Sequence, residues 1–198
     1  MSNFDYKSYW DMNYASNGNS GSGSYGALGD FKANVVKNLI EKYNITSTLD
    51  FGCGDGNMVR LIDYKNYIGL DISSHAVSRC KNMFANDDTK SFYVYDPTTY
   101  SSNSYKADMC TCLDVLYHIT NKDDFHSTLD AIFSSASKLV VLYTILAHEY
   151  RLTECSTIVT QDIYSEIDKY KEFKLVDTIR HNLDSGASFL VLEKIANS

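Results

Sequence analysis

The sequence predicts an α/β fold: a doubly wound, mainly parallel seven-stranded sheet with an antiparallel C-terminal hairpin strand and helices on both faces. Three observations carry the prediction. Short β-rich runs alternate with stretches of helical periodicity between residues 45 and 146, the pattern of βα units feeding a parallel sheet. A glycine-dense turn, Gly52 to Gly56, lies where the first β-rich run passes into a helix. The last two β-rich runs, 173–181 and 188–195, have no helix between them and are joined by NLDSGA, so they pair as a hairpin.

At 198 residues the chain has room for one domain with its own core and not for two. Residues 1–30 read as a separate N-terminal segment, polar and glycine-rich, with aromatic anchors at Phe4, Tyr6, Tyr9 and Trp10; residues 31–198 make the core. The segment is expected to be flexible. Asp30 is placed to cap a helix whose apolar residues Phe31, Val35, Leu39, Ile40 and Tyr43 recur at helical spacing. The strands then follow as ITSTLDF (45–51), YIGLD (67–71), SFYVYD (91–96), ADMCTCLD (107–114) and KLVVLYTIL (138–146). Ser73 is placed to cap the helix after the second strand. The fifth run is the most apolar, as a strand buried on both faces requires.

Composition narrows the function. With 44% hydrophobic and 22% charged residues the chain belongs among globular proteins. The longest apolar run, Leu139 to Ala147, is about half of the ~20 residues a spanning helix needs, and MSNFDYKSYW has no basic-then-apolar signal. A cytoplasmic protein without membrane contact is the expectation. The five cysteines form neither an even disulfide set nor a zinc spacing, and Cys110 and Cys112 share a strand face as small core residues. A net charge of -7 with no Lys/Arg cluster argues against a broad nucleic-acid surface and for a small or weakly charged substrate.

The chemistry concentrates in the glycine turn. Asp50 precedes Gly52, Gly54 and Gly56 in the order D-x-G-x-G-x-G. Dinucleotide sites use G-x-G-x-x-G, which seats a pyrophosphate on a helix N-terminus. Here the third glycine comes one residue early, and Asp55 sets negative charge where a phosphate would lie. The turn therefore suits a ligand with an amino group. Asp50 and Asp71 each have an ordinary alternative as turn or helix caps, but the pair on consecutive strands favours ligand contact.

The DFGCGDG stretch resembles the first motif of class I S-adenosylmethionine-dependent methyltransferases. In that family the turn lies against the amino-acid part of the cofactor, with the acid at the Asp50 position facing its ammonium end. The resemblance extends to YIGLDIS, where Asp71, followed by Ile72, stands in the place from which a carboxylate accepts the ribose hydroxyls. It further implies that Asp96 meets the adenine edge and that Leu113 and Asp114 line the methionine and sulfonium end. SGSGSYGALGDFK and LDVLYHI are similar to a small bacterial or phage-type subgroup associated with sugar or small-metabolite modification.

Candidates for the transfer chemistry lie on the carboxyl edge of the sheet. His118 is the candidate base, with Tyr117 beside it after the fourth strand, and His148 stands on the loop after the fifth, near Glu149 and Arg151. Trp10 and Tyr14 belong to a lid over the cofactor. Lys32 is placed to fix a carboxylate, though solvent exposure is the default expectation for a lysine. The function implied is methyl transfer from S-adenosylmethionine to oxygen or nitrogen of a small molecule, a sugar or other metabolite. The alternative is a catalytically inactive S-adenosylmethionine-binding or regulatory subunit. A nucleotide-cofactor oxidoreductase is disfavoured by the early third glycine and the terminal hairpin.

Overall fold

The protein is described by a computed structural model covering residues 4–101, 104–146, 157–183 and 186–196. Its strands are β1 (Thr48–Phe51), β2 (Tyr67–Asp71), β3 (Lys90–Val94), β4 (Ala107–Leu113), β5 (Ala136–Ile145), β6 (Phe173–Ile179) and β7 (Ala187–Lys194). They form one sheet in the order β3-β2-β1-β4-β5-β7-β6. Neighbours from β3 through β5 pair in parallel, whereas β7 runs antiparallel to both β5 and β6. The expected hairpin is present, and its second strand inserts between β5 and the first. Because β1 has β2 on one side and β4 on the other, strand order reverses there, and a crevice opens beyond the carboxyl ends of these strands.

Side chains alternate across the sheet and fill two cores. On one face Cys110, Cys112, Val140, Leu142, Leu190 and Leu192 meet Phe125, Leu129, Ile132 and Phe133 of α5 (Lys122–Ser135). On the other, Met109, Leu139, Val141, Tyr143, Phe189 and Val191 meet Val35, Val36 and Leu39 of α2 (Gly26–Lys42). This period of two explains why β5 reads as continuously apolar: both of its faces are covered. Cys110 and Cys112 are wholly buried in the α5-side core, as small core residues should be. Among the described residues no helix is long and apolar enough to cross a membrane.

Two helices differ from expectation. The N-terminal segment contains α1 (Tyr6–Ala15), whose first turn is capped by the Asp5 carboxylate accepting the Lys7 and Ser8 N–H groups. Of the aromatics expected as anchors of a flexible segment, Tyr6 and Trp10 stand with Tyr14 on the inner face of this helix, four residues apart, whereas Tyr9 is exposed. Helix α2 starts at Gly26, so Asp30 lies inside it and caps nothing. Three shorter helices complete the set: α3 (Asn57–Arg60), α4 (Ser74–Met83) and α6 (Ile163–Ile167).

Ser73 does cap α4: its Oγ accepts the Ala76 N–H at 3.2 Å and donates to Asp11 of α1 at 2.7 Å. Replacing a helix cap by alanine costs about 1 kcal/mol. Chemical denaturation of Ser73→Ala is expected to show a loss of at least this size, because the variant also loses the tie between α4 and α1.

Candidate functional site

The carboxyl ends of β1, β2 and β4 border a cavity roofed by α1, with about 910 Å³ of space free of protein atoms out to its mouth. Its floor is the turn from Asp50 to Asp55 and its sides are Asp71 with Ile72 and Leu113 to Val115. Tyr6, Trp10 and Tyr14 of α1 cover it, and Tyr95, Thr128, His118 and Ile119 complete the wall. The charged side chains lining it are Asp50, Asp55, Asp71 and Asp114; among the described residues no lysine or arginine does.

The glycine turn is shaped for close approach. Gly52 has φ +91°, and a β-carbon there would lie 2.2 Å from Val115 Cγ2. Only glycine accepts both the backbone and the contact. Asp71 holds the turn from the side: its carboxylate accepts the Gly54 N–H and the Ser73 N–H, each at 2.9 Å. Burial pushes its carboxyl up to about 6, against the pull of these two hydrogen bonds. Asp50 accepts the Thr111 hydroxyl at 2.5 Å and the Tyr67 hydroxyl at 2.6 Å. Its carboxyl also lies above the usual range, because burial outweighs those bonds and the charge of Lys32.

Asp55 ties the turn to the N-terminal segment, accepting the Tyr25 hydroxyl at 2.6 Å and the Ser20 N–H at 2.9 Å. Burial raises its carboxyl, but hydrogen bonds from Tyr25, Ser20 and Asn57 outweigh that and hold it below the ordinary value. The roof is fastened at its other end as well. Tyr6 donates to Asp124 at 2.8 Å, and the Lys7 ammonium lies 3.1 Å from the same carboxylate.

After β4 the chain turns through Asp114, whose φ of +62° is left-handed. Its carboxylate pairs with Lys32 of α2 and accepts the Tyr117 hydroxyl at 2.8 Å. Lys32, expected to be exposed, is completely buried. A buried ammonium survives only when paired, and removing one partner of such a pair costs about 3–5 kcal/mol. His118 follows in a short 3-10 turn, Leu116–His118. Its Nδ1 lies 3.0 Å from the Thr157 carbonyl, and its ring meets Trp10 edge-on at 5.1 Å. Since a carbonyl only accepts, Nδ1 carries the proton and Nε2 is left with a free lone pair. Burial keeps the imidazole below its ordinary value, against the carbonyl and the Asp114 charge.

Of the residues singled out from sequence, Asp50, Gly52, Gly54, Asp71, Ile72, Leu113, Asp114, Trp10, Tyr14 and His118 line this one cavity. Three others do not. Gly56 stands behind the turn with φ +83°, against Cys80 and Phe84. Asp96 falls beyond the end of β3, where its carboxylate accepts the Thr98 N–H at 3.0 Å and pairs with Lys7, so Tyr95 is the residue that lines the wall. Tyr117 points to Asp114 and not into the cavity. His148, Glu149 and Arg151 lie outside the described residues. Not foreseen were the burial of Lys32 and the Asp55 clamp. The helical register of Lys32, one turn before Val35 and Val36, carried the only signal for its burial.

A family model described as "Methyltransferase domain" matches residues 27–168. The chain belongs to the class I S-adenosylmethionine-dependent methyltransferases. Among solved structures it is similar to magnesium protoporphyrin IX methyltransferase from Synechocystis PCC 6803 with bound S-adenosylhomocysteine, at 15% identity and TM-score 0.71, covering 96% of this chain and 98% of that one. It is also similar to the N-methyltransferase NodS from Bradyrhizobium japonicum WM9 in complex with S-adenosylhomocysteine, at 10% identity and TM-score 0.74, with 96% and 98% covered. A third likeness is to the small RNA methyltransferase HEN1, at 16% identity and TM-score 0.67, over 88% of this chain and 26% of that one. No curated protein matches the sequence.

This methyltransferase uses S-adenosylmethionine as its cofactor, and the cavity fits that group. Its four carboxylates suit a ligand carrying an ammonium and a sulfonium, and the glycine turn leaves space that a side chain would occupy. Asp71 provides a pH test of this geometry. Because burial raises its carboxyl above the unfolded value of about 3.9, its contribution to stability is fully present below that pH. It is lost as pH rises through about 6, where the buried group must ionise. Denaturation measured across this window is expected to show that slope in the wild type and not in Asp71→Asn.

Proposed function

We propose that this enzyme transfers the methyl group of S-adenosylmethionine to an oxygen or nitrogen of a small-molecule acceptor, a sugar or other metabolite, with His118 as general base. The observation that carries the proposal is the hydrogen bond from His118 Nδ1 to the Thr157 carbonyl, which leaves Nε2 as an acceptor on the cavity wall. Neutral at physiological pH, such an imidazole can take a proton from a hydroxyl or an ammonium. The cofactor supplies a methyl group already activated by its sulfonium charge. The protein's own tasks are to align, to exclude water and to remove one proton.

In this reading Asp71, with Ile72 beside it, receives the ribose hydroxyls, and Asp50 sets the negative field for the ammonium end behind Gly52 and Gly54. Leu113 and Asp114 face the methionine and sulfonium end, while Tyr95 and Thr128 stand where the base lies. Residues 1–30 act as a lid on the core, Trp10 and Tyr14 closing the cavity from above. A small acceptor is supported by this roof and by the net charge of -7 without a basic cluster. A reducing, cytoplasmic location is supported by the described cysteines, all four buried and free.

Calorimetric titration is expected to show S-adenosylhomocysteine binding and no NAD binding, with Asp71→Ala weakening the former by about 1–3 kcal/mol through lost hydrogen bonds to the ribose. Unchanged affinity would remove Asp71 from the site. In assays with a labelled methyl donor over a panel of sugars, alcohols and amines, a small acceptor is expected to be methylated. His118→Ala should slow transfer to a hydroxyl by ~100-fold. Transfer to RNA alone would overturn the acceptor class, and binding without turnover on any acceptor would favour a regulatory subunit.

A further inference from the structure

Among the described residues, Lys32 is the one wholly buried cation near the cavity, and it does not line it. Its surroundings specify its task. The ammonium pairs with the Asp114 carboxylate and lies 5.2 Å above the Tyr143 ring of β5. Asp114 is held on its other oxygen by Tyr117, 2.8 Å away. The segment leading into α2 closes over the pair: a β-carbon on Gly23 would come within 2.7 Å of Asp114 Oδ2. Asp114 itself adopts a left-handed backbone, a conformation that surrounding contacts must enforce in a residue with a side chain.

The same short stretch carries everything the transfer needs from β4 onward. Val115 packs on Gly52, and Tyr117 accepts the Val159 N–H on its carbonyl at 2.8 Å, which brings residues 157–159 alongside. Residue 157 supplies the carbonyl that fixes the His118 tautomer. A fixed charge in the α2 core, a strained turn and an oriented imidazole are thus joined by consecutive hydrogen bonds.

We propose that Lys32 is a positioning residue, its buried ammonium holding Asp114 and, through Tyr117, the turn that presents His118 to the cavity. This rests on the reading of His118 as the base, but concerns only how that ring is held. A direct ion pair with the cofactor carboxylate is the competing role for a lysine here, and the two roles separate by experiment.

The acceptor being unidentified, the probes are S-adenosylhomocysteine and the ring nitrogens of His118. With 15N-labelled histidine, assigned by His118→Gln, the wild type should show one fixed Nδ1–H tautomer for His118. In Lys32→Met, and in Tyr117→Phe, which leaves no buried charge unpaired, that signature should give way to averaging of both tautomers. A lysine acting only through a direct ion pair with the cofactor carboxylate would leave that signature unchanged in the ligand-free variants. If Lys32→Met fails to fold, Tyr117→Phe decides the matter. The proposal is overturned by an unchanged His118 signature in a folded variant. Absence of S-adenosylhomocysteine binding in the wild type would instead sink the cofactor assignment, and the tautomer measurement would still stand.

Discussion

Two hydrogen bonds to one carboxylate organise this site. Asp71 ends β2, and it accepts one N–H from the glycine turn after β1 and one from Ser73, the second residue beyond its own strand. Parallel strands deliver their ends to the same edge but do not by themselves fix the loops that follow. Asp71 joins two of those loops through backbone donors, so the turn at Gly54 and the start of α4 cannot move independently. The arrangement places a carboxyl in a buried setting where its charge is opposed by burial. Hydroxyl donors brought to such a carboxylate relieve that opposition by hydrogen-bonding its charged form.

The roof over this edge depends on ties of unequal strength. Tyr6 to Asp124 and Tyr25 to Asp55 are buried or half-buried bonds to carboxylates, the kind worth roughly 1.5–3 kcal/mol each. The pair between Asp11 and His75 is largely exposed and contributes little. Helix α1 is therefore tied through Tyr6 to Asp124 and through Asp11 to Ser73, with the aromatic stripe of Tyr6, Trp10 and Tyr14 facing the cavity, while Tyr25 fastens the following segment to the glycine turn. Behind β4, the Lys32–Asp114 pair differs: its ammonium is completely buried and its carboxylate borders the cavity.

Much of this was legible in the chain itself. The βα alternation, the extra antiparallel strand and the Asp50–Gly56 turn are local patterns, and each corresponds to an observed element at nearly the expected residues. The points that departed from expectation share a cause. Helix α1 carries a modest pattern of its own and gains its inner face only by lying on the cavity. Asp30 looked like a cap because acids often are, yet α2 extends past it. Asp96 looked like a ligand-facing acid, but β3 ends two residues earlier and Lys7 takes its carboxylate.

By itself the sequence determined the cofactor-binding architecture, because glycine spacing and strand-ending acids act through local backbone geometry that any sequence window contains. Only the tertiary structure decided which charges are paired and which ring nitrogen is free. Lys32 meets Asp114 across 82 positions of chain, and His118 meets the Thr157 carbonyl across 39. Such contacts exist only once distant segments pack together, since the energy of a buried charge depends on the partner opposite it and not on its neighbours in sequence.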